Sequence, residues 1–422
     1  MDNLSDLGNK ASGVFIKSCP EDFVVIEKMP NSKLEEFRST KNGKFSIFSL
    51  KKRGVDIISA IRTLSRIYNI RERGFSYAGT KDKNAITFQY CSAFGKIFDK
   101  NTSFGNSGDF IEVKRVGHSQ RPISLGDHVG NEFIIRVRNV SEKSKRSLPI
   151  SVSQKEGKTL DKKRRALKGE NMFLIPNYFG SQRFGLLCNN HVIGKLIILS
   201  RFDEAVDLIK EQMKEKISQN LLGLLGIEFL KALNPKHAMM YVHSYQSYIF
   251  NRAISSYVKE NYDSFTLGYE FGELAFPKKE EIKRLAKKRY QKVSLAGFGF
   301  EREGIINKYV LKEMEEEGVK DRDFIVRQIP SLSAESHERD FLIRLKQFSI
   351  KEKGSRNQED EYLKYKSNGF GSIDGNTKPL ENNSLKVINE TQDVYEVKFT
   401  LGKGSYATIV IAGLFNQKPV VP

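Results

Sequence analysis

The chain has 422 residues, with 70 lysines and arginines against 51 acids, a formal charge of +19 and a pI near 9.5. An apolar share of 39% with 11% aromatics excludes a disordered polyelectrolyte, and the length allows roughly two or three domains that each bury a core. Three widely spaced cysteines, Cys19, Cys91 and Cys188, exclude a disulfide framework and a C-x-x-C metal site, and no apolar run approaches the ~20 residues of a membrane span.

So large a positive charge, carried with 29 phenylalanines and no tryptophan, points to a polyanionic partner, and nucleic acid is the expected one. The six histidines never fall at i, i+4, so no metal is expected. The polar opening MDNLSDLGNKASG does not read as an export signal. We therefore expect an intracellular protein, cytoplasmic or nuclear, with no membrane partner and acting as a monomer.

Val14 to Ile26 clusters apolar positions around CPED, which predicts two short strands meeting at a proline turn. Lys44 to Lys51 (KFSIFSLK) predicts another strand. In Asp56 to Tyr68, the residues Ile57, Ile58, Ala60, Ile61, Leu64, Ile67 and Tyr68 form one helical stripe, with Asp56 as N-cap.

Next comes Tyr77 to Tyr90, YAGTKDKNAITFQY, which sets a lone carboxylate, Asp82, between Lys81 and Lys83 on a glycine-led turn. Asn, Ser or Gly would turn the chain as well. A catalytic acid would need the carboxylate, because flanking cations keep it ionised as it enters a low-dielectric pocket. Ala85 to Ala93 and Val129 to Val140 read as strands, so the first third has an α+β pattern.

Gln154 to Lys168 carries seven basic residues and reads as a solvated helix or an arm on phosphate. From Asn189 to about Asp340 the pattern turns helical, in Asp203 to Ile217, Val242 to Val258 and Asn307 to Glu317, with a basic run at Lys278 to Val293. Ser349 to Ser384 reads as a polar excursion. Asp393 to Leu414 (VYEVKFTLGKGSYATIVIAGL within it) returns to strand chemistry.

Three further stretches are dense in signal. NYFGSQRFG (Asn177 to Gly185) packs aromatics, glycines and an arginine into a loop that suits an unstacked base, or else plugs a core. HSYQSYIFNRAI (His243 to Ile254) is an amphipathic helix whose default role is packing. LGKGSYAT (Leu401 to Thr408) is glycine-rich but lacks P-loop spacing.

Taken in order, PEDFVVIE (Pro20 to Glu27), AGTKDKNAITFQ (Ala78 to Gln89), LGDHVGNEFIIRVR (Leu125 to Arg138), NYFGSQRFG, SYQSYIFNRA and GSYAT strongly resemble the TruD family of RNA pseudouridine synthases, in an archaeal or eukaryotic-like form. The AG-x-KD and NYFG-x-QRFG blocks are the specific ones. The resemblance implies a pseudouridine-synthase fold: a mixed, largely antiparallel central sheet flanked by helices, built from residues 1–190 and 341–422. A helix-rich α/β family-specific domain, residues 191–340, is inserted into it.

The implied activity turns uridine into pseudouridine in RNA, commonly the uridine at position 13 of transfer RNA, without cofactor or metal. Asp82 falls on the family's catalytic aspartate and Lys17, in VFIKSCPEDF, on the lysine that pairs with it. A cation ~4 Å from the acid at an effective dielectric of ~20 contributes roughly 4 kcal/mol before desolvation. Phe179 falls on the aromatic used against the target base, and Asn177 offers a donor and an acceptor to a uracil edge. Thr87, Gln89, Arg183, Lys81 and Lys83 are the expected substrate contacts.

Two departures from the family pattern stand out. Ala412 and Gly413 replace a usual Arg-Glu pair, and no proline precedes Gly404-Ser405. The alternatives are an RNA-binding or RNA-folding chaperone of the same fold, and a glycosidase, which would need a second facing carboxylate.

Overall fold

A computed structural model describes residues 13–95, 102–105, 108–148, 173–214, 217–288, 291–353 and 394–421. The basic segment Gln154 to Lys168 and most of the polar excursion, residues 354–384, lie outside them. The chain opens with β1 (Val14–Phe15) and β2 (Phe23–Lys28), separated by the Pro20–Asp22 turn. β3 (Phe45–Arg53), β4 (Phe75–Tyr77), β5 (Ile86–Phe94), β6 (Thr102–Gly105), β7 (Phe110–Ser119), β8 (Gly130–Val137) and β9 (Leu174–Pro176) follow.

The region after β9 is mainly helical but contains two antiparallel strand pairs. These are β10 (Ser264–Tyr269) with β11 (Gly272–Pro277), and β12 (Lys292–Ser294) with β13 (Glu338–Asp340). The chain ends with β14 (Leu342–Arg344), β15 (Lys346–Lys353), β16 (Val394–Gly402) and β17 (Pro419–Val420).

Among the described residues the central sheet has nine strands. Its path runs β15-β16-β8-β2-β5-β3-β7-β6, and β4 pairs with β5 beyond the segment that β2 covers. Among the described strands only β2 and β5 run parallel in it, so the mixed, largely antiparallel sheet is as expected. Phe23, Phe133 and Phe399 meet on three neighbouring strands, with ring centroids 5.9 and 5.6 Å apart, the spacing of favourable aromatic pairs.

The Ile57–Tyr68 helix covers one face. Asp56 caps it by accepting from the Ser59 amide at 2.9 Å, and Asn69 ends it in the left-handed region. Its buried stripe is narrower than the apolar pattern: Ile58 and Ile67 are exposed.

Two expectations are corrected. Ala407–Phe415 is a helix, not a strand, and seven of its nine residues are buried, so its pattern has no polar face to show a period. Ser349 to Lys353 belong to β15, an outer strand whose polar, half-exposed residues hide its pairing with β16.

In the helical region the main element is Pro235–Asn261, 27 residues and about 40 Å long at 1.5 Å per residue. Asn234 caps it and Pro235 opens it, where a missing amide costs nothing. The predicted helices at 203–217 and 307–317 appear as Phe202–Met213 and Ile305–Glu316. One continuous core runs from Val14 through Phe179 and this long helix to Phe415, so sheet and helical region share an interior. No described helix is long and apolar enough to cross a membrane.

Candidate active site

The connection from β4 to β5 carries Asp82 across the face of the sheet. Two side chains tie its main chain down from beneath: Gln89 donates to the Gly79 carbonyl at 3.2 Å, and Lys52 donates to the carbonyls of Asp82 at 2.7 Å and Lys81 at 3.3 Å. Lys81 adds a sideways tie. Its ammonium lies 2.7 Å from buried Glu27 of β2, which also accepts from the Tyr90 amide at 3.0 Å. A loop with this many internal partners holds its carboxylate without help from a ligand.

The Asp82 side chain is 33% exposed, and Lys17, only 8% exposed, meets it at 2.9 Å. Lys17 sits at φ +59°, a left-handed conformation that costs a non-glycine residue about 1 kcal/mol or more. Its neighbours enforce that conformation. On one side Phe15 exchanges main-chain bonds with Arg138, and the Ile16 amide donates to Val420 of β17 at 3.0 Å. On the other, buried Asp22 accepts from the Cys19 amide and takes a two-pronged bond from Arg138, at 2.7 and 3.0 Å. The Lys17 ammonium also lies 4.2 Å from the centre of the Phe23 ring.

The Asn177 to Gly185 loop reaches the same place. Gln182 donates to the other Asp82 oxygen at 3.3 Å, so the acid and the aromatic loop are in direct contact. Gly180 permits this path: a Cβ there would lie 2.9 Å from the Tyr406 ring. Asn251 of the long helix grips Phe179 like a strand partner, accepting from its amide at 2.8 Å and donating to its carbonyl at 2.9 Å.

The Phe179 ring itself is covered, 4% exposed. Arg339 lies over it at 3.9 Å, Arg183 at 5.1 Å, and the rings of Phe250 and Tyr406 approach edge-on at 5.5 and 6.1 Å. Arg339 is fixed by donating to the Asn177 carbonyl, to Asn177 Oδ1 and to the Gly404 carbonyl, at 3.0, 2.8 and 2.9 Å. Burial lowers its pKa to about 10, and it remains cationic at neutral pH.

Of the predicted residues, Asp82, Lys17, Arg183, Phe179 and Asn177 gather around this junction. Asn177 turns its side chain to Arg339 and to the Asp340 carbonyl. Thr87 and Gln89, expected as substrate contacts, are 0% and 1% exposed beneath the turn, where alternation along β5 directs them. Lys81 is engaged with Glu27, Lys83 is exposed at the surface, and Arg183 carries a buried Nε with no partner among the described residues. Lys52, Gln182, Asn251 and Arg339 were not singled out from sequence. Gln182 and Asn251 stood inside quoted motifs, whereas Lys52 and Arg339 stood in none.

The mixed sheet thus presents one ion-paired carboxylate, Asp82, beside an aromatic loop. The model of the family described as tRNA pseudouridine synthase D (TruD) matches residues 7–221 and 227–413, and the chain belongs to that family. It is similar to proteins named "Probable tRNA pseudouridine synthase D". The Archaeoglobus fulgidus protein is 32% identical over 58% of this chain and 62% of its own length. That from Thermococcus sibiricus is 28% identical over 81% and 90%. The first of these matches thus spans less than two thirds of the relative. A solved TruD-type structure from Methanosarcina mazei superposes with a TM-score of 0.60 over 96% of this chain and 94% of that one; at 24% identity it speaks to the fold alone.

Proposed function

We propose that this chain isomerises uridine to pseudouridine within RNA, with transfer RNA as the substrate and the uridine at position 13 as its target. In the net reaction the N1–C1′ bond breaks and a C5–C1′ bond forms, while one proton leaves C5 and another reaches N1. Asp82 is the catalytic acid residue. It acts as an anionic oxygen donor, either as nucleophile on ribose or base or by taking a proton from the sugar. Lys17 holds it aimed. Phe179 and Arg183 receive the everted base, and the remaining cost of eversion, a few kcal/mol, is met by phosphate contacts.

The observation that carries this reading is the Lys17–Asp82 pair at 2.9 Å, in contact through Gln182 with the loop that holds Phe179. Residues 191–340 form the inserted unit in this reading. It is supported by the antiparallel pairing of β9 with β14, which brings the outgoing and returning chain side by side. RNA follows the exposed members of the Lys278 to Val293 run, Lys283 and Lys287 among them; Lys278, Arg284 and Lys292 are already paired with acids.

The test is incubation with unmodified transfer RNA, followed by mapping of pseudouridine, beside an Asp82→Asn control. Product from the wild type alone is expected. Tight RNA binding without product would move the reading to a chaperone of the same fold, and inertness toward RNA would end it.

A further inference from the structure

Lys52 is fully buried on β3. It stands directly opposite Thr87 of β5, and such cross-strand neighbours share a face with Cβ atoms ~5 Å apart. The Asp82 turn roofs that face. Both bonds from the Lys52 ammonium run to the main chain of the turn, to the oxygens of Asp82 and Lys81. With no exposure it cannot touch RNA, so any effect on a reaction passes through the turn.

A buried ammonium is a costly way to satisfy two carbonyls, which an amide or hydroxyl would satisfy without charge. Burial brings its pKa down to about 8. Asp82 of the turn, Asp56 at the helix cap and Cys91 of β5 oppose the fall, and Lys81 adds to it.

We propose that Lys52 is a positioning residue for the candidate active site: its ammonium bridges the main-chain oxygens of Lys81 and Asp82 from below and so sets the carboxylate against Lys17. The inference rests on the reading of Asp82 as the catalytic acid. Charge-assisted bonds are about twice as strong as neutral ones, so neutralising Lys52 loosens the turn.

The fold responds to the same titration with the opposite sign. The folded-state pKa of about 8 lies below the ordinary 10.5, so between these values the unfolded chain holds more protons and stability rises with pH. Activity therefore falls through pH 8 while stability rises. A lysine that served only the fold would move both together.

The experiment compares wild type, Lys52→Met, Lys52→Gln and Asp82→Asn across neutral to alkaline pH. It reads pseudouridine formed in a transfer RNA transcript, thermal melting, and deuterium exchange of peptides covering residues 78–85. In Lys52→Met we expect kcat to fall by roughly ten- to a hundredfold, the scale of a misplacement near 1 Å, with KM little changed. Exchange at 78–85 rises while the rest of the sheet is unchanged. Lys52→Gln, which keeps donors without charge, falls between and loses the alkaline limb.

A folded Lys52→Met protein with unaltered kcat, or with unaltered exchange in the turn, overturns the proposal. If that variant does not fold, the wild-type series decides: activity that holds, or rises with melting, through pH 8 overturns it equally. If wild type modifies no RNA, the proposed function fails, and exchange in the turn still decides whether Lys52 sets it.

Discussion

The two halves of the candidate site are built in opposite ways. The carboxylate half is open and preset: Asp82 is one third exposed, its loop is pinned from beneath and from the side, and Lys17 is held in a strained conformation facing it. The aromatic half is equally well tied but closed, because guanidinium and ring edges cover Phe179. Charge must be organised before a reaction, since reorganising it later adds to the barrier. A stacking surface has no such need, and keeping it covered avoids exposing an apolar ring to water. In the proposed reading, a base reaches Phe179 only after a side chain moves aside. Arg183 is the freer of the two arginines, since Arg339 has three main-chain and side-chain acceptors.

The strongest test of the preset half is Asp82→Asn, expected to lower pseudouridine formation by about 1,000-fold or more with RNA affinity and melting unchanged. A variant within tenfold of wild type would remove the carboxylate from the chemistry. Next is Lys17→Met, expected to lose roughly 100-fold in kcat. Lys17→Gly should lose as much yet melt higher than Lys17→Met, because glycine carries no penalty of about 1 kcal/mol at φ +59°.

For the closed half, Arg339→Ala strands the oxygens of Asn177 and Gly404. At ~1–3 kcal/mol for each buried group left unsatisfied, a loss of about 3 kcal/mol in urea unfolding is expected. Arg339→Lys should recover little, because one ammonium cannot span the fork. An Arg339→Ala protein as stable as wild type would mean that the closed half is only loosely tied.

The smallest effect concerns His191, which stacks on Tyr248 at 4.5 Å and meets the edge of Phe184 from the aromatic loop. Burial lowers its pKa to about 4 from 6.5. The unfolded chain then binds the extra proton, so stability is lost as pH falls from 6.5 toward 4. His191→Phe should flatten that part of the stability curve.

Much of the fold was legible because alternation and capping are local. β3, β5 and the Ile57–Tyr68 helix lie within two residues of their predicted bounds, and β8 ends three residues early. The pattern failed where burial is complete or absent: Ala407–Phe415 is apolar all round, and β15 is polar nearly throughout.

In the site, Asp82 was conspicuous as a lone acid between lysines, but its pairing with Lys17 came only from the family resemblance, since 65 residues separate them. Lys52 and Arg339 were invisible because composition cannot distinguish a buried cation from a solvated one. Thr87 and Gln89 alternate along one strand, yet which face the turn would cover is a tertiary fact.

The stitching of Ile16 to Val420 has a consequence for how the molecule is made. Main-chain bonds that aim the ammonium of residue 17 are supplied by a segment translated some four hundred codons later. During synthesis β2, β3 and β5 around the acid can pair early, but the Ile16 bond that helps aim the cation forms only after residue 420 has cleared the ribosome. The carboxylate and its ammonium partner are therefore matched late, once β1 and β17 have come together.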